Sequence, residues 1–238
     1  MNRPTSTASP RGAEASAGCG CRCMRSLVRW AVVAVVAVAA FVLVMESQKH
    51  RGYIFDPAVL REVQLEAVGD GTRPVEQVVA DVVRLLADRY PGHIQTEAEW
   101  LFNNAGGAMG ACLMLHTSLT EYVIVFGTAV GTEGHTGRYL ADDFFYILHG
   151  EQWSFSEGRL TRDEFHVGDM HHLPAGEARQ YRMPDACFAL EYARGNIPAM
   201  LPFGIADTLT STLDLRTLVR TFVLYARGVT HELLQGKF

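Results

Sequence analysis

Cysteine is scarce. Five occur in 238 residues, and three of them, Cys19, Cys21 and Cys23, crowd into the head of the chain. Only Cys112 and Cys187 remain for the body, too few for a disulfide scaffold. Positive charge is short as well. Residues 1–30 hold five arginines and one glutamate, a balance of +4, so the overall −5 leaves −9 on the other 208 residues. An acidic body repels phosphate backbones, which excludes sequence-independent nucleic-acid binding. Long apolar runs number one, at residues 30–45. What is present is core material: 48% apolar against 20% charged residues excludes global disorder. The length suits one ordinary domain plus something extra.

Residues 1–26 are rich in Ser, Ala, Gly and Arg, lack apolar periodicity and read as a disordered cytoplasmic head. As a helix, the 16 uncharged residues that follow would span about 24 Å, short of the ~30 Å hydrocarbon core. Leu27 and Val28 extend them and Arg29 can snorkel. Residues 27–46 therefore read as one tilted transmembrane anchor. A cleaved signal peptide is the competing reading. Val44-Met45-Glu46 is not a small-x-small cleavage site, which counts against it. Arg22, Arg25 and Arg29 before the span outweigh Lys49 and Arg51 beside Glu46 after it, which puts the body across the membrane. The three head cysteines are either palmitoylation sites or an accident of a low-complexity tail.

Residues 50–202 read as helices followed by a barrel. Asp56-Pro57 is an N-cap followed by an N1 proline. Thr72-Arg73-Pro74 opens a second helix whose Val75, Val78, Val79, Val82, Leu85 and Leu86 share one stripe, and Tyr90-Pro91-Gly92 ends it. The small residues from Asn104 to Gly110 suggest a turn or close backbone packing. Short strand-like runs follow at 121–127, 138–148, 152–155, 164–167, 170–173, 178–183 and 188–192, parted by Gly and Pro turns. Such spacing predicts a sandwich or barrel. From 203 to 238 the helical period returns, with Leu215, Leu218, Val219, Phe222, Tyr225 and Val229 on one stripe. Leu213, Leu224, Leu233 and Leu234 widen it, so these amphipathic helices either pack on the barrel or lie on a membrane.

The turn at 168–179 resembles the second motif of cupin barrels: Gly168, five residues, Pro174-x-Gly176, two residues, then Arg179 where cupins place a metal-binding His. In the first cupin motif, Gly150 would follow Asp143 at the Glu position, and the two His positions become Thr136 and Arg138. Arg offers no lone pair to a metal. His171 and His172 are strand neighbours that face opposite ways, and His135 sits in a Gly-rich turn. The sequence thus predicts a metal-free cupin-like barrel with Asp143 facing its cavity.

More specific segments are Asn104-Ala-Gly-Gly-x-x-Gly110, His116-Thr-Ser-Leu-Thr-Glu-Tyr122, Phe126-Gly-Thr-Ala129 and Gly134-His-Thr-Gly-Arg-Tyr139. Glu191-Tyr-x-Arg-Gly-x-Ile-Pro198, Ala206-Asp-Thr208 and Tyr225-Ala-Arg-Gly228 join them. Together they resemble the family of fungal-type C-8 sterol isomerases and the sigma-one receptor, over about residues 25–235. The resemblance implies an α+β fold: an N-terminal transmembrane helix, a cupin-like β-barrel and flanking C-terminal membrane-associated helices. It also implies a single-pass endoplasmic reticulum protein with a luminal body, a homotrimer, a sterol substrate, cationic amines as inhibitors and no cofactor.

Within the family, Glu191 matches the receptor's amine-pairing acid, whereas the receptor's second pocket acid falls at Phe145. Ala141-Asp142-Asp143-Phe144-Phe145 is instead similar to the isomerase branch. Asp143 and Phe145 share a strand face, so Asp143 faces the pocket; Asp142 points away unless a bulge swaps the two. The implied reaction moves a sterol double bond from the 8 to the 7 position, with Glu191, Asp143 and Asp142 as the candidate catalytic acids. Tyr122, Phe126, Phe145, Tyr181 and Tyr225 are the candidate substrate-binding side chains, and Arg138 and His135 the candidate pocket supports. A ligand-operated receptor or chaperone without catalysis is the alternative.

Overall fold

The computed structural model describes residues 28–40, 43 and 52–237. The chain divides into two units, Met1–Val44 and Met45–Phe238. In the first, residues 28–40 form helix α1, and all thirteen are exposed. Among the described residues no helix is long and apolar enough to cross a membrane. The head at 1–26, its three cysteines, and positions 27, 41, 42 and 44–46 of the expected anchor lie outside the described residues.

The second unit opens with two helices. α2 (Pro57–Val68) starts as its cap predicts, with Asp56 Oδ1 accepting from the Ala58 N–H at 2.8 Å. α3 (Val75–Arg89) buries Val78, Val79, Val82, Leu85 and Leu86 along one stripe. Ten strands follow. β1 (Trp100–Ala105) and β2 (Ala108–Thr117) make a hairpin that the sequence reads only as a turn or close backbone packing of small residues. Gly106 and Gly107 form its two-residue loop, both at positive φ. A Cβ on Gly106 would come within 2.3 Å of the His135 carbonyl oxygen, so the close approach requires glycine.

β3 (Glu121–Thr128), β4 (Thr132–His135), β5 (Ala141–His149), β6 (Glu151–Phe155) and β7 (Asp163–His166) come next. β8 (Met170–Leu173), β9 (Gln180–Met183) and β10 (Cys187–Gly195) complete the set. One sheet runs β1-β2-β3-β10-β5-β8 and the other β4-β9-β6-β7. From β3 to β10 the chain fills β3-β10-β5-β8 in one sheet and β4-β9-β6-β7 in the other, which is the connectivity of a jelly roll, the architecture of cupins. β4 lies inside the stretch 131–137 that reads as a turn, and β5 begins at Ala141 rather than 138.

The central strands β3, β10 and β5 are buried on both faces. Val123, Val125, Phe144, Tyr146, Leu148, Leu190 and Tyr192 point to one side and pack with α2 and α3. Ile124, Phe126, Phe145, Ile147 and Ala189 point to the other, into the roll. Cys112 and Cys187 are both buried there as free thiols.

The C-terminal part continues from a 3-10 turn (Ile197–Ala199) through α4 (Leu201–Asp207) and a π-helical turn (Thr208–Thr212) to α5 (Leu215–Leu234). Leu213, between them, is the one described non-glycine residue at positive φ, 55°. Asp214 caps α5 by accepting from the Thr217 N–H at 3.0 Å. Leu209, Leu213, Leu215, Val219 and Val223 are exposed, so these helices keep an apolar face outside the core.

Candidate active site

Three adjacent strands carry the site. Ala193 of β10 pairs with Tyr122 of β3 on one side and Asp143 of β5 on the other. Two residues back, Glu191 pairs with Ile124 and Phe145. Glu191 is therefore a diagonal neighbour of both Tyr122 and Asp143 on one face, a spacing of about 7–8 Å between backbones that long side chains bridge. The Tyr122 hydroxyl closes one diagonal by donating to Glu191 Oε1. On the other, Asp143 is 4% exposed and Glu191 8%, and Asp143 Oδ1 is buried without a hydrogen-bond partner in the protein.

Burial sets the acidity of both carboxyls. It lifts Glu191 to about 7, held back by the hydrogen bond from Tyr122. Burial also lifts Asp143 well above the carboxylate range, and the neighbouring Glu191 charge adds to the rise. The Phe144 N–H works the other way. The tyrosine hydroxyls around the pair, Tyr122, Tyr139 and Tyr181, are pushed up by burial first and by the two carboxylates second. The arrangement can hold one proton on an uncommitted carboxyl oxygen beside a second carboxylate, in apolar surroundings.

The two carboxyls open into a cavity of about 280 Å³. Tyr122, Phe126, Phe145, Tyr181, Tyr225 and His135 all line it with Asp143 and Glu191. Phe126 and Phe145 supply apolar wall from the sheet. Tyr225 reaches in from α5, its hydroxyl donating to the Ser118 carbonyl at 3.3 Å. His135 ends β4, and its Nδ1 accepts from the Gly137 N–H at 2.8 Å.

Asp142 and Arg138 stand outside the lining. Asp142 points to the opposite strand face, where it accepts from the Ala175 N–H at 3.1 Å and lies 3.7 Å from Arg194. The register shift in the β5–β10 ladder falls between Phe188 and Ala189, too far along to swap the two aspartates. Arg138 is exposed and donates to the Gly176 carbonyl at 2.6 Å. Neither Arg138 nor Arg179 pairs with Glu191; Arg179 lies 3.6 Å from both Asp163 and Glu177.

Of the cupin ligand positions, Thr136 and Arg179 meet. Thr136 Oγ1 accepts from the Arg179 N–H at 2.9 Å. A hydroxyl and guanidiniums make a poor donor set for a metal ion. His171 is buried and His172 exposed, as strand parity requires.

Two lining groups escaped the sequence reading. Tyr139, just before β5, stands edge-on to Phe203 of α4, with ring centroids 5.6 Å apart. It closes the Gly134-to-Tyr139 motif, a signal that could have found it. Phe203 and the α5 residues Leu218 and Phe222 also line the cavity, and nothing local marks them as pocket residues.

Comparison with known proteins adds three kinds of relative. The C-8 sterol isomerase of Pyricularia oryzae is 45% identical over 214 residues, covering 89% of this chain and 96% of that one. That of Aspergillus fumigatus is 44% identical, covering 99% of this chain and 100% of its own. The sigma non-opioid intracellular receptor 1 of Danio rerio is 38% identical, covering 87% of this chain and 95% of its own. Among solved structures, a predicted oxalate decarboxylase from Thermotoga maritima aligns at 17% identity and a TM-score of 0.36, over 43% of this chain and 97% of that one. A family model described as ERG2 and Sigma1 receptor like protein matches residues 32–237, and with nearly the whole chain so matched this protein belongs to that family.

Proposed function

We propose that this protein is a sterol C-8 isomerase, moving the double bond of a sterol from the 8 to the 7 position. The observation that carries the reading is the buried pair Asp143–Glu191, one oxygen of it unpartnered, facing an apolar cavity. The C-8 sterol isomerases at 44–48% identity support it.

The geometry divides the roles. Tyr122 donates to Glu191, which favours the ionised form there. Asp143 has no such donor side chain and keeps its proton. Asp143 delivers that proton to carbon 9 of the 8,9-alkene, leaving a tertiary cation at carbon 8. Glu191 removes a proton from carbon 7 and the new double bond forms. Glu191 then releases its proton to solvent and Asp143 takes one up from solvent, which resets the pair, so atoms and charge balance without a redox or phosphate cofactor.

The carboxylate left behind stabilises the cation. At ~4 Å and an effective dielectric of ~20 that attraction is about 4 kcal/mol. The faces of Tyr122, Phe126, Phe145 and Tyr181 add about 0.5–2 kcal/mol each where they meet it. Cationic amines carry the charge of this intermediate and bind as its mimics.

The site works at a membrane in this reading. Support comes from the apolar face left exposed by α4, the π turn and α5, elements that also line the cavity. The uncharged run within residues 27–46 supports a single-pass anchor. Placement in the endoplasmic reticulum with a luminal body, and assembly as a homotrimer, rest on family resemblance.

The test is complementation of an isomerase-deficient cell. Wild-type protein is expected to restore the Δ7 sterols and Glu191→Gln to leave the Δ8 precursor in place at equal protein level. Amine binding without restoration by the wild type would make the protein a ligand-binding receptor instead.

A further inference from the structure

A second cluster of titratable side chains lies outside the cavity lining. His93 sits in the loop after α3, His116 near the end of β2, and Glu232 in the last turns of α5. We propose that His93, His116 and Glu232 bind a divalent transition-metal ion of the zinc type, which fastens the C-terminal end of α5 to the body.

One ligand atom from each residue lies within 4.8 Å of the other two. His93 Nδ1 is 2.9 Å from Glu232 Oε2, and His116 Nδ1 is 3.6 Å from Glu232 Oε1. A tetrahedral ion with bonds of ~2.0–2.1 Å holds its ligands about 3.3–3.4 Å apart, so His93 and Glu232 need only small rotations to admit one, and the His116 ring must turn to present its free nitrogen. Two imidazoles and a carboxylate form a familiar zinc donor set that leaves a fourth position for water. The half-buried His93 gives that position a route to solvent.

Two further observations point the same way. Glu232 is 2% exposed, yet its ion-pair partners among the described residues are these two imidazoles, with no lysine or arginine. Such a carboxylate lacks the permanent cation that buried charges require. His116, also 2% exposed, has a ring nitrogen, Nε2, buried without any partner. The donor set thus carries more lone pairs than the protein satisfies. His116 Nδ1 donates to the His93 carbonyl at 2.9 Å, which leaves the ring's lone pair on the unpartnered Nε2 as the atom that would meet the ion. The residues lie 23 and 116 positions apart, so no spacing motif announces them. Their site is independent of the proposed isomerisation.

The test uses full-length protein carrying serine at positions 19, 21 and 23, which removes the head thiolates as competing ligands. Chelator-treated protein is titrated with zinc chloride. One ion per chain and a rise of several degrees in melting temperature are expected. Cobalt in place of zinc should give visible d–d bands without a thiolate charge-transfer band. His93→Gln and, separately, Glu232→Gln should each abolish both signals, while the chelated His93→Gln protein melts within about two degrees of its parent. Absence of zinc-dependent stabilisation in the parent, or its persistence in both variants, would overturn the proposal. Persistence would assign the ion to other groups, such as the half-buried Glu151 with the exposed Glu164 and His166.

Discussion

Two buried carboxylates on the same three strands behave differently. Glu121 opens β3 and is fully buried. Its oxygens accept from the Ile54 N–H at 2.9 Å, the Phe55 N–H at 3.2 Å and the Tyr192 hydroxyl at 2.7 Å, and Lys237 lies 2.7 Å away. Every lone pair is engaged and the charge is balanced. Asp143, across β10, has one oxygen with no partner and a like charge for a neighbour. The first arrangement ties the segment before α2 and the chain's C-terminal end to the sheet. The second leaves a proton available to a substrate. A carboxylate's unused hydrogen-bonding capacity, rather than its burial, separates chemistry from architecture here.

Four substitutions can break that contrast. The largest effect is expected from Asp143→Asn and Glu191→Gln, each lowering isomerisation by at least about 10³-fold while thermal melts stay near wild type. Lys237→Ala should do the reverse. It strands the Glu121 charge, a loss of about 3–5 kcal/mol read as a lowered melting temperature, with per-molecule activity of the folded fraction retained.

Tyr122→Phe comes next, with an expected loss of about 10–100-fold. The hydrogen bond from Tyr122 lowers the Glu191 pKa, so its removal raises that pKa. The acid limb of the pH–rate profile should therefore move to higher pH. An unmoved limb would assign the base to another group.

The smallest effect is on stability. Glu191 has a folded pKa raised from 4.5 to about 7, so the native state binds a proton that the unfolded chain has released. Its contribution is present below about pH 4.5 and lost as pH rises through about 7, in the direction also expected from Asp143. Melting temperature should fall across that window in wild type and flatten in the Glu191→Gln, Asp143→Asn double variant. A rise instead would mean that both groups are salt-bridged like Glu121.

The sequence discloses the cavity pair better than the frame around it. Strand parity puts Asp143 and Phe145 on one face, the Asp56 cap places α2 and the apolar stripe from Val75 places α3, because all depend on neighbours in the chain. The β1–β2 hairpin is hidden because Asn103, Asn104, Ala105, Gly110 and Ala111 have low strand propensity. Their pairing comes from the close packing of Gly106 and Gly134 instead. β4 is hidden for the same reason. The support assigned to Arg138 fails because that side chain is held at the surface by Gly176. The α5 part of the cavity lining and the His93–His116–Glu232 cluster are brought together by the return of α5 across β2. No local pattern encodes that return.

The division of labour between Asp143 and Glu191 is tested most directly by turnover of a Δ8 sterol in deuterated water. Asp143 exchanges its proton with solvent before delivering it, so the Δ7 product should carry one deuterium at carbon 9. No product should form with Asp143→Asn. Product from the wild type without deuterium at carbon 9, or full turnover by Asp143→Asn, would contradict the account.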